Sequence, residues 1–250
     1  MPFLQSVGSS ILFELFEDLS KITLIVACLY FVLGAYVHRK QPAWSGPLEK
    51  RRFTTLLVLV LVVSALKLGE DVLGGDSGPI DQAILLFIHH HIPSALIGFF
   101  ETATLTGSSW FMFPLTVIVA ITLLYTKHRI EALLLVASVI SATIVIYILK
   151  MLVSRIRPAL WDTEWYWGSS FPSGHTLVVA AFATAATLCL SRIKPAWRNS
   201  ALSLSILWIT LVAISRLVLG VHWPTDVLAA ACIGAFLPLA ISVVLELRQA

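Results

Sequence analysis

The chain has 250 residues, 58% of them hydrophobic and 12% charged, with a mean hydropathy of +0.90, whereas a soluble globular domain carries roughly 25% charged residues. The composition places the chain in a membrane and excludes a water-soluble domain. A net charge of +3 does not indicate a nucleic-acid partner, because Lys and Arg fall in short clusters between apolar runs rather than along one polar face.

A spanning helix needs about 20 mostly apolar residues. Hydropathy predicts seven spans, near 20–37, 53–72, 110–126, 131–149, 175–191, 201–218 and 224–245. The stretch before the first of them has Lys21 as its first cation, so it lacks the basic region of a signal peptide; it is expected to be retained as an interfacial amphipathic helix. Arg39, Lys40 and Lys50–Arg52 follow the first span, Lys127 and Arg129 the third, Arg192, Lys194 and Arg198 the fifth, and Arg248 the last. Every second connection is therefore basic, which orients the amino terminus outside and the carboxyl terminus inside. Asp71, Asp76, Asp81, Glu101, Asp162 and Glu164 gather on the outer side, where the long segment from 78 to 110 is expected to form helices lying against the membrane surface.

The predicted fold class is all-α: a polytopic membrane helical bundle with a six-span core and an extra amino-terminal span. Residues 1–52 form an amino-terminal interfacial segment, first span and basic loop, and residues 53–250 the main membrane domain. Cys28, Cys189 and Cys232 all lie in apolar runs without a CxxC pair, so neither a disulfide nor a zinc site is expected.

Some cations defy the inside rule. Lys150, Arg155, Arg157 and Arg216 sit at outer span ends, together with His175 and His222. Ionisable groups there cost free energy unless paired or wetted, which marks a functional site. The predicted topology brings four helix ends together: the fourth span ends at Lys150, the fifth begins at His175, the sixth ends at Arg216 and the seventh begins after His222. Lys150, Arg157 and Arg216 suit an anion with several oxygens, above all phosphate, which Arg binds bidentately and Lys as a point charge. In "PSGH" (172–175) the backbone N–H groups of a helix amino terminus add donors, Gly174 allows close approach, and the Ser173 hydroxyl adds a donor or caps the helix.

His222 and Asp226 are four residues apart and share a face if both lie in the first turn of the seventh span. Asp226 then holds one ring nitrogen of His222 and leaves the other to attack as nucleophile. His175 protonates the leaving oxygen and later activates water, while the three cations stabilise the transition state. No metal or other cofactor is expected, since the cations already hold the phosphate and no carboxylate cluster offers a magnesium site.

The stretches "KMLVSRIRP" (150–158), "PSGH" (172–175) and "SRLVLGVHWPTD" (215–226) together resemble the three-part signature of the type 2 phosphatidic acid phosphatase superfamily, matched in order and without substitution. The resemblance covers about residues 53–245 and implies that family's helical core and a phosphohistidine mechanism. Members commonly have six spans, so the stretch 20–37 is a departure.

The expected activity is hydrolysis of a terminal phosphate monoester or anhydride on a membrane lipid at the outer face of the cytoplasmic membrane. Candidate substrates are undecaprenyl pyrophosphate, phosphatidylglycerol phosphate, phosphatidic acid and lipid A phosphate. The alternatives are a lipid phosphotransferase using the same histidine and a lipid-phosphate transporter; a transporter should show broken helices or repeats near the midplane, which the sequence lacks. Arg155, at a variable position inside the first motif, is a candidate substrate contact. His89, His90 and His91 are read as interfacial or solvated, Trp161, Trp165 and Trp167 as an aromatic belt, and Lys67, Glu70 and Asp71 as an interfacial group that pairs or snorkels.

Overall fold

A computed structural model describes residues 2–75, 77–161 and 168–247. Asp76, Asp162, Glu164, Trp165, Trp167 and Arg248 lie outside these residues. Among the described residues the regular structure is helical, with no strand: α1 (Pro2–Lys40), α2 (Ser45–Lys50), α3 (Arg52–Gly74), α4 (Gly78–His91), α5 (Ile97–Leu105), α6 (Ser109–Tyr125), α7 (Arg129–Leu152), α8 (Gly174–Ile193), α9 (Arg198–Val218) and α10 (Pro224–Leu247).

A helix covers each of the seven predicted spans. Phe16–Lys40, Arg129–Leu152, Gly174–Ile193, Pro195–Val218 and Pro224–Leu247 are long and apolar enough to cross a bilayer, and the chain is a multi-pass membrane protein. α6 has 17 residues, a length of about 25 Å at 1.5 Å per residue. The amino-terminal stretch is not a separate interfacial helix. It runs unbroken into the first span as α1, because no proline interrupts the chain between Pro2 and Pro42.

The segment from 78 to 110 contains α4 and α5, two helices bent by 97° at a short break. Pro93 accounts for the break: Ile92, the residue before it, is extended with ψ 120° and ends α4. Ser108 then starts α6, its hydroxyl accepting the Phe111 N–H at 3.4 Å.

α8 is the hub of the bundle. Its buried face, including Leu177, Val179, Ala180, Ala181 and Ala185, is completely enclosed, and apolar clusters join it to α7, α9 and α10. Without a hydrophobic drive between helices in lipid, close approach of small residues supplies the packing. At Gly234 on α10 an added Cβ would fall 2.6 Å from Ala180 Cβ and against the Leu177 carbonyl oxygen.

Polar side chains bind the two ends of the bundle. At one end Arg51 and Arg192 both donate to Glu246 Oε1, at 2.5 and 2.6 Å. Nearer the opposite end, Lys67 bonds Asp71 at 2.6 Å and lies 3.5 Å from Asp18 of α1. Lys67, Glu70 and Asp71 thus pair with one another and with the first span.

Candidate active site

Lys150 lies in the last turn of α7, and its Nζ donates to the Ser169 carbonyl oxygen. Beyond α7 the chain runs without helix and is pinned to the stretch before α8: Ser170 N donates to Arg155 O at 3.0 Å and Arg155 N to Ser169 Oγ at 3.1 Å. This pinning aims Arg157 inward. Its Nη1 donates to Val221 O at 2.8 Å and approaches His222 Nε2 at 3.4 Å, while Nη2 lies 3.4 Å from Ser169 O.

The second motif enters α8 through a cis peptide between Phe171 and Pro172. Ser173 is the helix N-cap by position, yet its side chain does not cap: the hydroxyl meets Thr176 Oγ1 at 3.0 Å. Its backbone N–H instead donates to Asp226 O at 3.2 Å, tying the start of α8 to the start of α10. Gly174 is the first helical residue, where an added Cβ would meet only Ile146 Cγ2 at an ordinary 3.8 Å. His175 packs against Gly107, whose added Cβ would lie 3.1 Å from His175 Cβ and 3.3 Å from Cδ2.

Arg216, in the last turn of α9, is fully buried and donates to Thr104 Oγ1 at 2.7 Å. His222 is not in the first turn of α10. The helix starts at Pro224 because the proline ring disfavours helical geometry in the residue before it, so His222 lies in the preceding bend. Asp226, at the third helical position, reaches back as half of a capping box and accepts the Trp223 N–H at 2.9 Å. The same oxygen lies 3.5 Å from His222 Nδ1.

The two faces of the His222 ring thus differ. Nε2 faces an Arg157 N–H donor, so it is the unprotonated nitrogen, and the proton belongs on Nδ1 toward Asp226. Burial, with the charges of Arg216 and Arg157, pushes this imidazole down to about 4 against the opposing pull of Asp226. Lys150, Arg157, Arg216 and His222 all act electrostatically on His175. Arg155 and Asp81 cancel one another at 2.6 Å, leaving three cations against the carboxylate of Asp226, a surplus suited to a multiply charged oxyanion.

Arg155 is engaged with protein groups on both of its terminal nitrogens: Asp226 and Thr225 on Nη1, Asp81 and Ser77 on Nη2. Trp161 stacks on His89 with ring centroids 4.0 Å apart. It also covers Gly220, a residue at φ +66° where a Cβ would meet the indole at 2.6 Å. His90 and His91 are exposed, and His91 Nδ1 is 2.8 Å from Phe87 O.

Sequence reasoning placed Asp81 only among the outer acids and not at the site, and it passed over Thr104 and Gly107. Asp81 carried a signal, an acid inside the apolar run "GPIDQAILLF". Thr104 and Gly107 carried none, since their partners are on α8 and α9.

Beside the site lies an apolar cavity of about 790 Å³ between α3, α7 and α10, lined by Leu66, Leu73, Leu149, Val153, Phe171 and Phe236 among others. Val153 and Phe171 belong to the stretches that carry Lys150 and the "PSGH" turn, so the cavity adjoins the cation cluster.

The chain resembles several known proteins. It is 28% identical over 198 residues to an undecaprenyl-diphosphatase of Sulfolobus acidocaldarius, covering 76% of this chain and 89% of that protein. It is 30% identical over 138 residues to phosphatidylglycerophosphatase B of Bacillus subtilis, covering 52% of this chain and 66% of that protein. The fold matches the crystal structure of the transmembrane PAP2-type phosphatidylglycerolphosphate phosphatase from Bacillus subtilis with TM-score 0.70 at 24% identity, covering 76% of this chain and 96% of that one. It matches Aquifex aeolicus LpxE with TM-score 0.54 at 22% identity, covering 64% and 93%. The family model of the PAP2 superfamily matches residues 131–249, the stretch that holds all three motifs.

Proposed function

We propose that this protein hydrolyses the terminal phosphate of a membrane lipid phosphate or pyrophosphate through a phosphohistidine, without a metal ion. The observation that carries this reading is the two-sided environment of His222: Nδ1 is 3.5 Å from Asp226 Oδ2, and Nε2 is 3.4 Å from Arg157 Nη1. The nitrogen turned toward the phosphate cations is the one that holds a lone pair, as a nucleophile requires.

In the first half-reaction Nε2 attacks phosphorus and the bond to the leaving oxygen breaks, with protonated His175 donating its proton to that oxygen. The Nδ1 proton remains beside Asp226, which steadies the cationic ring. In the second half-reaction His175 takes a proton from water, the resulting hydroxide attacks phosphorus, and the P–N bond breaks to release orthophosphate and regenerate His222. Lys150, Arg157, Arg216 and the Gly174 N–H at the start of α8 bind the equatorial oxygens, while the Ser173 N–H is held by the Asp226 carbonyl oxygen.

Among the described residues no three His, Cys, Asp or Glu side chains gather to hold a metal ion; the proposed mechanism assigns the phosphate charge to Lys150, Arg157 and Arg216. The apolar cavity of about 790 Å³ beside it offers lodging for a lipid chain. Because the undecaprenyl-diphosphatase relative is matched over 89% of its length, a polyprenyl pyrophosphate is the first substrate to test. The site faces the outer side of a cytoplasmic membrane, following the basic connections at 39–52 and 192–198.

The test is phosphate release in detergent with chelator throughout, over polyprenyl pyrophosphate, phosphatidylglycerol phosphate, phosphatidic acid and lipid A phosphate. At least one substrate should turn over. His222→Ala and His175→Ala should each lower its kcat by roughly 1000-fold or more. Turnover by His222→Ala at the wild-type rate, or strong chelator inhibition, would overturn the reading.

A further inference from the structure

Asp81 and Asp226 are the buried acids among the described residues, each 0% exposed. Asp226 has a place in the chemistry above; Asp81 has none, and it lies outside the stretch 131–249 that matches the family model. A buried carboxylate costs several kcal/mol unless it is paired and hydrogen-bonded, so its partners define what it does.

All of those partners lead to one place. Asp81 Oδ1 accepts the Thr225 N–H at 3.0 Å, and Oδ2 accepts Thr225 Oγ1–H and Arg155 Nη2–H, both at 2.6 Å. Arg155 also takes in Ser77 Oγ at 3.0 Å on Nη2, and its Nη1 donates to Asp226 Oδ1 at 2.5 Å. Asp226 is thus clamped on one oxygen by Arg155 and turns the other toward His222.

We propose that Asp81 is a positioning residue for the reaction: through Arg155 it fixes the Asp226 carboxylate, and by matching the Arg155 charge it leaves the Asp226 charge to act on His222. The inference rests on the reading of His222 as nucleophile. With Asp81 present, Arg155 and the two acids carry one net negative charge. With a neutral residue there, the guanidinium cancels Asp226. His222 would then face Arg157 from the stretch after α7, Arg216 from α9 and Asp226 from α10 with no net negative partner. His175 of α8 and Lys150 of α7 complete the surrounding charges.

The experiment uses the full chain in detergent. Asp81→Asn preserves shape and an acceptor for Arg155 but removes the charge. Its kcat should fall roughly 10- to 100-fold with KM held within about twofold, because Lys150, Arg157 and Arg216 are untouched. The acid limb of kcat/KM should move down by roughly half a pH unit. Asp81→Glu, which restores the charge, should return that limb to its wild-type position. Wild-type kcat and an unmoved limb in Asp81→Asn would overturn the proposal, as would a loss shared equally by inorganic phosphate binding.

Should Asp81→Asn not fold, Arg155→Lys decides: one ammonium cannot bridge two carboxylates in fork geometry. It should lose roughly 10-fold in kcat at unchanged KM, and wild-type kcat would sink the proposal. His222→Ala separates the two levels. If it is inactive while Asp81→Asn is normal, the positioning role fails and the nucleophile stands; if it is fully active, the nucleophile assignment itself fails.

Discussion

Replacing Gly234 with alanine sets two effects of different size against each other. In an isolated helix the change gains about 1 kcal/mol, because alanine loses less conformational entropy than glycine. Here the new methyl would sit 2.6 Å from Ala180 Cβ and against the Leu177 carbonyl oxygen, where carbon atoms normally rest about 3.5–4.0 Å apart. Neither obstacle can rotate aside, so α8 and α10 must part by about 1 Å, an overpacking cost of roughly 3 kcal/mol. The net destabilisation of about 2 kcal/mol should lower Tm by roughly 4–8 °C for a chain of this size. Activity should fall as well, since the Ser173 N–H to Asp226 O bond of 3.2 Å joins the same two helices beside the site. Thermal unfolding in detergent reads the first effect and phosphate release the second. Gly34→Ala on α1, where nothing lies within 4 Å of the added carbon, is the matched control and should keep or raise Tm. A Gly234→Ala protein as stable as wild type would refute the close-packing argument.

Gly107→Ala places a methyl 3.0 Å from Val212 Cγ1 and 3.1 Å from His175 Cβ; displacing the histidine by a few tenths of an ångström should cut kcat severalfold with little change in Tm. Thr104→Val removes the 2.7 Å acceptor of buried Arg216 and should lower kcat/KM by about 10-fold, measured by steady-state kinetics. His222, pushed down to about 4 by burial and by Arg216 and Arg157, takes up a proton more readily in the unfolded chain, near 6.5. Its neutral form therefore favours the fold fully above about pH 6.5, and that advantage is lost as pH falls toward 4, by on the order of 3 kcal/mol. Tm measured between pH 7.5 and 4.5 should drop less steeply for His222→Gln than for wild type; parallel curves would count against this linkage.

Five of the seven expected spans, on α1, α7, α8, α9 and α10, are long and apolar enough to cross a bilayer; they were legible because hydropathy integrates over about 20 residues, and the three motifs because each packs its polar groups into one short stretch. The 97° bend between α4 and α5 was signalled by Pro93, but its consequences were not. Which residue of α4 meets Arg155, and which of α5 meets Arg216, depends on how two helices lie across the bundle, and no local pattern records that. Arg155 shows the limit well. Its spacing places it beside Arg157, yet one guanidinium turns to Asp81 and Asp226 while the other turns to Val221 and His222. Periodicity likewise put His222 on the helix face of Asp226. Pro224 ends that expectation, and the contact survives because Asp226 reaches back past the helix start.

The shared carboxylate at the other end of the bundle bears on how the chain is assembled. Arg51 and Glu246 are separated by 195 positions, so during synthesis both Arg51 and Arg192 are exposed long before their acceptor emerges. Throughout that interval each carries an uncompensated positive charge, of the kind that biases which side of a membrane a short loop occupies. Once the last helix is threaded, one acid latches two cations and converts an orientation signal into a tertiary lock.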